Sequence, residues 1–343
     1  MNFLFIALHI QPAIGGAEIS TLTLMNELRK RGHTCNHIDS NNWNEAIEGT
    51  AKHHDIIITQ LQWAPKAIHI AERYNKPSIV MLHSLENTCR VVHDPVHAIE
   101  LYRCQQKCST CPHMITGYEE QGIALNKCNL ILGNCKWNAT WAIEELGYRP
   151  EKVGWVYPSM TEIDNESIKG KYISMNMLTY AKGTDIFADI ARQMPNEKFR
   201  IYGYEHSLPC FPSFSLPKNV EFMGKVSQEE MYTDAKLWIV PARKIVNFGM
   251  TIIEAMSCGV PVIASGCGSV IDDEMVIDGY NGLHVPMDDW EKGHKPDLWV
   301  KYVNKALENI EEYSLNAHET DFSRFSKKAS ADRFIDYAKK LVH

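Results

Sequence analysis

The sequence predicts an α/β protein made of two parallel-sheet halves, and three observations carry the prediction. Short apolar runs of strand length alternate with longer amphipathic runs of helix length through both halves, which is the rhythm of strands joined by crossover helices. At 343 residues the chain exceeds what one hydrophobic core usually supports, so two domains are expected. Between the halves, Pro158 to Lys171 is a polar connector that interrupts the alternation and marks a boundary.

In the first half, the apolar run around Phe3-Leu4-Phe5-Ile6 reads as a strand over 3–9, followed by a turn at Gly15-Gly16 and an amphipathic helix over 17–31. Strands follow near 34–38 and over 55–59. A helix over 64–74, strands over 78–82 and 129–132, a helix over 136–146 and a strand over 153–156 complete this half. The second half repeats the pattern with a strand over 171–175, a helix over 183–193, strands over 198–202 and 220–222, a helix over 228–234 and a strand over 237–240. Phe248-Gly249 then breaks the chain before a helical run from Met250 to Ser257, Cys258-Gly259 stops it, and Val260 to Ala264 is a short buried strand. Gly266, Gly268 and Ser269 form a small-residue turn that permits close backbone approach, and Asp278-Gly279 and Asn281-Gly282 are turns before the apolar Leu283-His284-Val285. Phe322 to Val342 reads as a terminal amphipathic helix. There is no fixed-period repeat or low-complexity tract.

Composition narrows the function classes. Hydrophobic residues at 45% and charged residues at 22% are ordinary globular values, and the net charge of −7 gives no electrostatic reason to expect a polyanion, so nucleic acid is disfavoured as a partner. No apolar run approaches the roughly 18 residues of a membrane-crossing helix, and the opening Met1 to Leu8 lacks a basic region or cleavage site, so it reads as a strand of a cytoplasmic protein. Peripheral contact with a membrane surface through Lys327-Lys328 and Lys339-Lys340 competes with a simpler reading as solvated charge. Oligomeric state leaves no signal.

The stretch from Asn247 to Pro286 carries the most information. Phe248, Gly249, Glu254, Ala255, Met256, Gly259, Pro261 and Val262 stand in the pattern Glu-x-Phe-Gly-x4-Glu-Ala-Met-x2-Gly-x-Pro-Val, which resembles the donor-nucleotide region of retaining glycosyltransferases of the GT-B fold, family 4 (group 1). At the other end, Pro12-x2-Gly15-Gly16-Ala17-Glu18 followed by Leu28-x2-Arg31-Gly32-His33 is similar to the amino-terminal signature of the same family. The resemblance implies two Rossmann-like domains facing a cleft. An acceptor domain would cover 1–157, a donor-nucleotide domain 171–318, and a helix over 319–343 would return to the first domain. It implies a transferase that moves a sugar from a nucleoside diphosphate sugar to a hydroxyl acceptor such as a glycan or lipid-linked saccharide. Modified DNA bases in a viral setting, a degenerate protein that only binds nucleotide sugar or glycan, and an epimerase of the same architecture stay open beside it.

The residues themselves suit that chemistry. Gly15 and Gly16 lie between a strand and a helix, where small residues admit a phosphate to the positive end of the helix; the resemblance puts them near the donor pyrophosphate and the acceptor. Lys182, in Ala181-Lys182-Gly183-Thr184-Asp185, follows a strand and so projects where ligands sit in open α/β sheets. Its ammonium suits the negative charge that grows on a departing diphosphate. The resemblance assigns Glu254 to the ribose hydroxyls, a task a carboxylate performs by accepting two hydrogen bonds, and groups Phe248, Gly249, Met250 and Thr251 with it as donor-binding. It assigns His83, at the end of Val80-Met81-Leu82, to the transferred sugar, and makes Asn134 a further cleft residue. The family usually has an arginine five residues before the lysine, where this chain has Met177, and an acid eight residues before the glutamate, where it has Val246. Lys182 alone cannot replace a bidentate arginine; Arg243 and Lys244, just before the Phe-Gly turn, are placed to supply the cation. Transfer in this family is described as a front-face reaction in which the leaving phosphate helps deprotonate the acceptor, so no catalytic metal or protein nucleophile is expected.

Cysteine usage is a separate theme. Six of ten cysteines, namely Cys89, Cys104, Cys108, Cys111, Cys128 and Cys135, fall in one stretch. Cys104-x3-Cys108-x2-Cys111 with Cys89 upstream has roughly the spacing of a structural zinc site. Zinc, a disulfide and plain reduced thiols all remain open, the disulfide disfavoured in a reducing compartment. The surrounding insertion, about 87–122, lies where GT-B enzymes usually recognise acceptors. Cys35, Cys210, Cys258 and Cys267 sit in apolar or turn surroundings and are expected to be inert.

Overall fold

The structure, a computed structural model, describes residues 1–7, 9–10, 15–60, 63–83, 119–160, 163, 170–178, 182–205, 216–243, 245–287 and 293–342. Cys89, Cys104, Cys108 and Cys111, with most of the 87–122 insertion, lie outside the described residues, as does Lys244.

The chain divides into two compact units. Among the described residues the first comprises everything up to Met160 together with the stretch from Ser323 onward, and the second runs from 163 to Phe322. In the first unit, strands β1 (Asn2–Ile6), β2 (Thr34–Ile38), β3 (Ile56–Gln60), β4 (Ser78–Leu82), β5 (Leu130–Gly133) and β6 (Val153–Trp155) form a parallel sheet in the order β2-β1-β3-β4-β5-β6. Helices α1 (Gly16–Lys30), α2 (Glu45–Glu48), α3 (Ala64–Arg73), α4 (Glu119–Lys127) and α5 (Lys136–Glu144) connect them. Strands β3 and β4 are buried at every residue, which is why their sequences are continuous rather than alternating.

The second unit repeats the plan. Strands β7 (Tyr172–Leu178), β8 (Lys198–Glu205), β9 (Val220–Gly224), β10 (Ala235–Val240), β11 (Val262–Gly266) and β12 (Gly282–Pro286) pair in parallel in the order β12-β11-β10-β7-β8-β9. Helices α6 (Thr184–Gln193), α7 (Gln228–Thr233), α8 (Met250–Ser257) and α9 (Ser269–Asp272) lie between the strands, and α10 (Pro296–Glu308) and α11 (Ile310–Glu319) follow them. The strand expected over 260–264 begins two residues later, because Pro261 has no N–H to give to the ladder. Helices α10 and α11 fall where no element was expected. Their signals are Pro296 at the first turn and Trp299, Val303 and Ala306, which repeat at helical spacing and are buried.

The last helix, α12 (Lys327–Val342), belongs to the first unit. It begins later than the run from Phe322 suggested, because Ser326 caps it through the Ala329 N–H (3.1 Å) after a short 3-10 turn at Ser323–Phe325. It buries Ala331, Phe334 and Ala338, with the Phe334 ring 5.6 Å from Phe3 and 6.4 Å from Phe5. Ser330 and Arg333 donate to the carbonyls of Tyr157 and Trp155, each at 2.7 Å. Tyr337 packs so closely on the edge strand that a Cβ at Gly154 would lie 2.3 Å from its ring. No helix among the described residues is long and apolar enough to cross a membrane.

Burial accounts for the cysteines that are described. The thiols of Cys35, Cys128 and Cys258 are each pushed up to about 11, chiefly by desolvation. Iodoacetamide at pH 8 should therefore leave these three unmodified in the native protein and label them only after denaturant; mass spectrometry of peptides from native and unfolded samples checks this.

Candidate functional site

In the second unit the chain leaves β7 toward β8 and β9 on one side and returns through β10 on the other, so the strand order reverses between β7 and β10. A crevice opens outside the carboxyl ends of strands at such a point, and ligands of open α/β sheets bind there. The two loops that flank it carry Lys182 and Arg243. Gly183 adopts φ +79°, and a Cβ there would lie 1.8 Å from the Pro241 carbonyl oxygen, so the two loops are in direct backbone contact. Only glycine fits both requirements.

Arg243 is fixed by a two-pronged pair. Its Nε donates to Asp185 Oδ1 at 3.1 Å and its Nη2 to Asp185 Oδ2. Asp185 stands in the first turn of α6, where the positive end of the helix also favours its charge. The pair leaves both side chains partly accessible, at 18% and 25%, so the guanidinium is oriented without being sealed. Asp185 was legible as part of Lys182-Gly183-Thr184-Asp185, but its task of holding Arg243 was not. Met177 lies in β7 and Val246 in the loop after β10.

That loop is held from the far side by the turn after β11. Ser269 donates to the Val246 carbonyl from its N–H (3.0 Å) and its hydroxyl (2.9 Å), and Ser265 donates to the Ala242 carbonyl (3.0 Å). Gly268, at φ +61°, approaches Val246 so closely that a Cβ would be 2.6 Å from its oxygen. The expected small-residue turn thus approaches protein backbone here. Phe248 and Gly249 lead directly into α8, and Met250 and Thr251 form its first turn.

Glu254 is on α8 and only 3% exposed. Tyr232 donates its hydroxyl to Oε2 (2.9 Å) and Gln228 its amide to Oε1 (3.0 Å), both from α7. Burial and the adjacent carboxylate raise the Tyr232 phenol well above its ordinary value, so it stays protonated and remains a donor. Gln228 and Tyr232 escaped the sequence reading; their only signal is a four-residue spacing that puts both on one face of α7.

In the first unit the strand order reverses between β1 and β3, and Gly15-Gly16 follows β1. The Gly15 N–H donates to Glu18 Oε2 at 2.9 Å. One group expected to receive a phosphate is therefore answered by a carboxylate of the same helix, which completes half of a capping box. His83 follows β4 and Asn134 follows the neighbouring β5. The structure brings them together: Asn134 Nδ2 donates to the His83 carbonyl at 2.7 Å. Asn134 Oδ1 is buried and has no hydrogen-bond partner among the described residues. Among the described residues no group of three or more His, Cys, Asp or Glu side chains could hold a metal ion.

Residues 172–295 match the family model described as glycosyl transferases group 1. An uncharacterized glycosyltransferase of Methanocaldococcus jannaschii is 31% identical over 166 residues, 47% of this chain and 44% of the relative. The O-antigen biosynthesis glycosyltransferase WbnH of Escherichia coli is 26% identical over 180 residues, 51% of each chain. The matched region thus spans about half the length of these curated relatives. Among solved structures, HepE of Anabaena in complex with UDP-glucose matches at a TM-score of 0.72 and 18% identity, covering 99% of this chain and 100% of its own. A glycosyltransferase of Rickettsia africae matches at 0.73 and 14%, covering 99% and 98%. The fold is that of the GT-B proteins, with two Rossmann-like parallel sheets.

Proposed function

We propose that this chain is a retaining glycosyltransferase of family 4 that moves a sugar from a nucleoside diphosphate sugar, in the first instance a UDP-sugar, to a hydroxyl of a glycan or lipid-linked saccharide. The observation that carries the reading is the arrangement at the carboxyl edge of the second sheet: Lys182 and the Asp185-held Arg243 flank the reversal point, and Glu254 follows on α8. The group 1 match covers this region; two relatives and one fold neighbour named as glycosyltransferases support the same class, and another fold neighbour holds UDP-glucose.

In this reading the second unit binds the donor, with Glu254 on the ribose hydroxyls and Lys182 and Arg243 on the diphosphate. The first unit binds the acceptor, with His83 on the transferred sugar, Asn134 beside it, and the Gly15-Gly16 turn toward the acceptor and the donor pyrophosphate. The bond from the anomeric carbon to the diphosphate oxygen breaks, and the acceptor oxygen bonds to the same carbon on the same face. The acceptor proton passes to the departing diphosphate. Cations fixed before the reaction stabilise the charge that develops on that diphosphate without having to reorganise.

Purified protein incubated with UDP-, GDP-, ADP- and dTDP-sugars, with nucleotide release as the readout, should turn over at least one donor slowly in water. Ligand-induced stabilisation without release on any donor would favour the second reading, a protein that binds nucleotide sugar without turnover. Met177 and Val246, at the positions of the family arginine and acid, are the observations behind that alternative.

A further inference from the structure

We propose that Gln228 is a specificity-determining latch on Glu254: its amide holds the carboxylate oxygen that a ribose hydroxyl needs, and it yields that oxygen when a ribonucleotide binds. The inference rests on the donor-binding role given to the second unit above.

Gln228 and Tyr232, the donors to the Glu254 carboxylate named above, are not equivalent. Tyr232 is fully buried, with its ring centroid 4.9 Å from that of the buried Trp238. Its hydroxyl could leave Oε2 only by becoming a buried donor without an acceptor, which is strongly disfavoured. Gln228 is half-buried at the first position of α7, just after Ser227, which caps that helix through the Glu230 N–H at 3.1 Å. Its amide can rotate toward water and satisfy its donors there. The Tyr232 side of the carboxylate is therefore closed by protein and the Gln228 side is the one nearer solvent. A carboxylate accepts and never donates, so the group that replaces the amide must bring hydrogen-bond donors. The vicinal 2′- and 3′-hydroxyls of a ribose bring two, against the single bond that is surrendered. A sugar without them brings none and leaves the latch in place.

The latch should cost a ribonucleotide part of its affinity and a 2′,3′-dideoxynucleotide nothing. The test measures by calorimetry the Kd of UDP, GDP and ADP for the intact chain, takes the tightest, and repeats it with the 2′,3′-dideoxy counterpart on wild type, Gln228→Ala and Gln228→Met. Methionine keeps the length and packing of the side chain without its amide. The expected result is a ribonucleotide Kd about 3- to 10-fold lower in both variants, the order of one modest hydrogen bond, with the dideoxynucleotide unchanged. Unchanged or weaker ribonucleotide binding in Gln228→Met, while wild type binds, would overturn the latch alone. Equal shifts for both nucleotides would overturn it too, since they would mark a merely structural role. No binding of any nucleotide by wild type or variants would overturn the latch together with the donor-binding reading.

Discussion

Glu254→Ala is expected to weaken nucleotide binding by about 100-fold or more and to lower donor turnover with it. A charged hydrogen bond contributes about 1.5–3 kcal/mol, and two such bonds to ribose hydroxyls would be lost together. The same substitution removes the acceptor for Tyr232, whose hydroxyl is buried, at a cost of about 1–3 kcal/mol in stability. For a unit of this size that corresponds to a fall in Tm of roughly 2–4 °C per kcal/mol. Glu254→Gln separates the effects. Glutamine can accept from the Tyr232 hydroxyl and keep the packing, so stability should largely return while nucleotide affinity stays low. Thermal melts and calorimetric titration with UDP on the two variants check this. A Glu254→Gln protein that binds UDP as tightly as wild type would remove the glutamate from the site.

Arg243→Ala is expected to weaken UDP binding by about 10- to 100-fold while leaving uridine binding nearly unchanged. Arg243 stands beside the reversal point between β7 and β10, where a diphosphate gains from a fixed cation, whereas a nucleoside has no charge to offer it. The contrast between the two ligands separates an electrostatic role from general damage. Removing the arginine also leaves Asp185 as an unneutralised carboxylate at the same place, which adds repulsion. Arg243→Lys should recover little, because a lysine cannot make the two-pronged contact with Asp185 that fixes the cation. Titrations of UDP and uridine against both variants give the answer; equal losses for the two ligands would show that Arg243 does not meet the diphosphate.

The alternating sheet plan was readable because parallel strands buried on both faces leave continuous apolar runs, as at Ile56 to Ile58 and Ile79 to Leu82. Lys182 and Glu254 stand out as candidates because glycines and prolines beside them impose local backbone geometry that shows in the letters. Helix α10 leaves a local signal in Pro296, Trp299, Val303 and Ala306. The zinc spacing of Cys89, Cys104, Cys108 and Cys111 stands as a sequence reading, since those positions lie outside the described residues.

By itself, then, the sequence determined the repeated parallel architecture, its punctuation and the kinds of residue placed at the carboxyl ends of its strands, because burial periodicity and turn chemistry act over a few neighbouring positions. Only the tertiary structure decided which side chains meet. Asp185 reaches Arg243 across 58 positions, Gln228 and Tyr232 reach Glu254 across 26 and 22, and Asn134 reaches the His83 carbonyl across 51. The first and last of these pairings follow from strand order, which places β7 beside β10 and β4 beside β5, and the Glu254 pairings join the helices on either side of β10 in the chain. The physical reason is that a parallel sheet gathers the carboxyl ends of strands far apart in the chain along one edge, and no local pattern records which of them become neighbours.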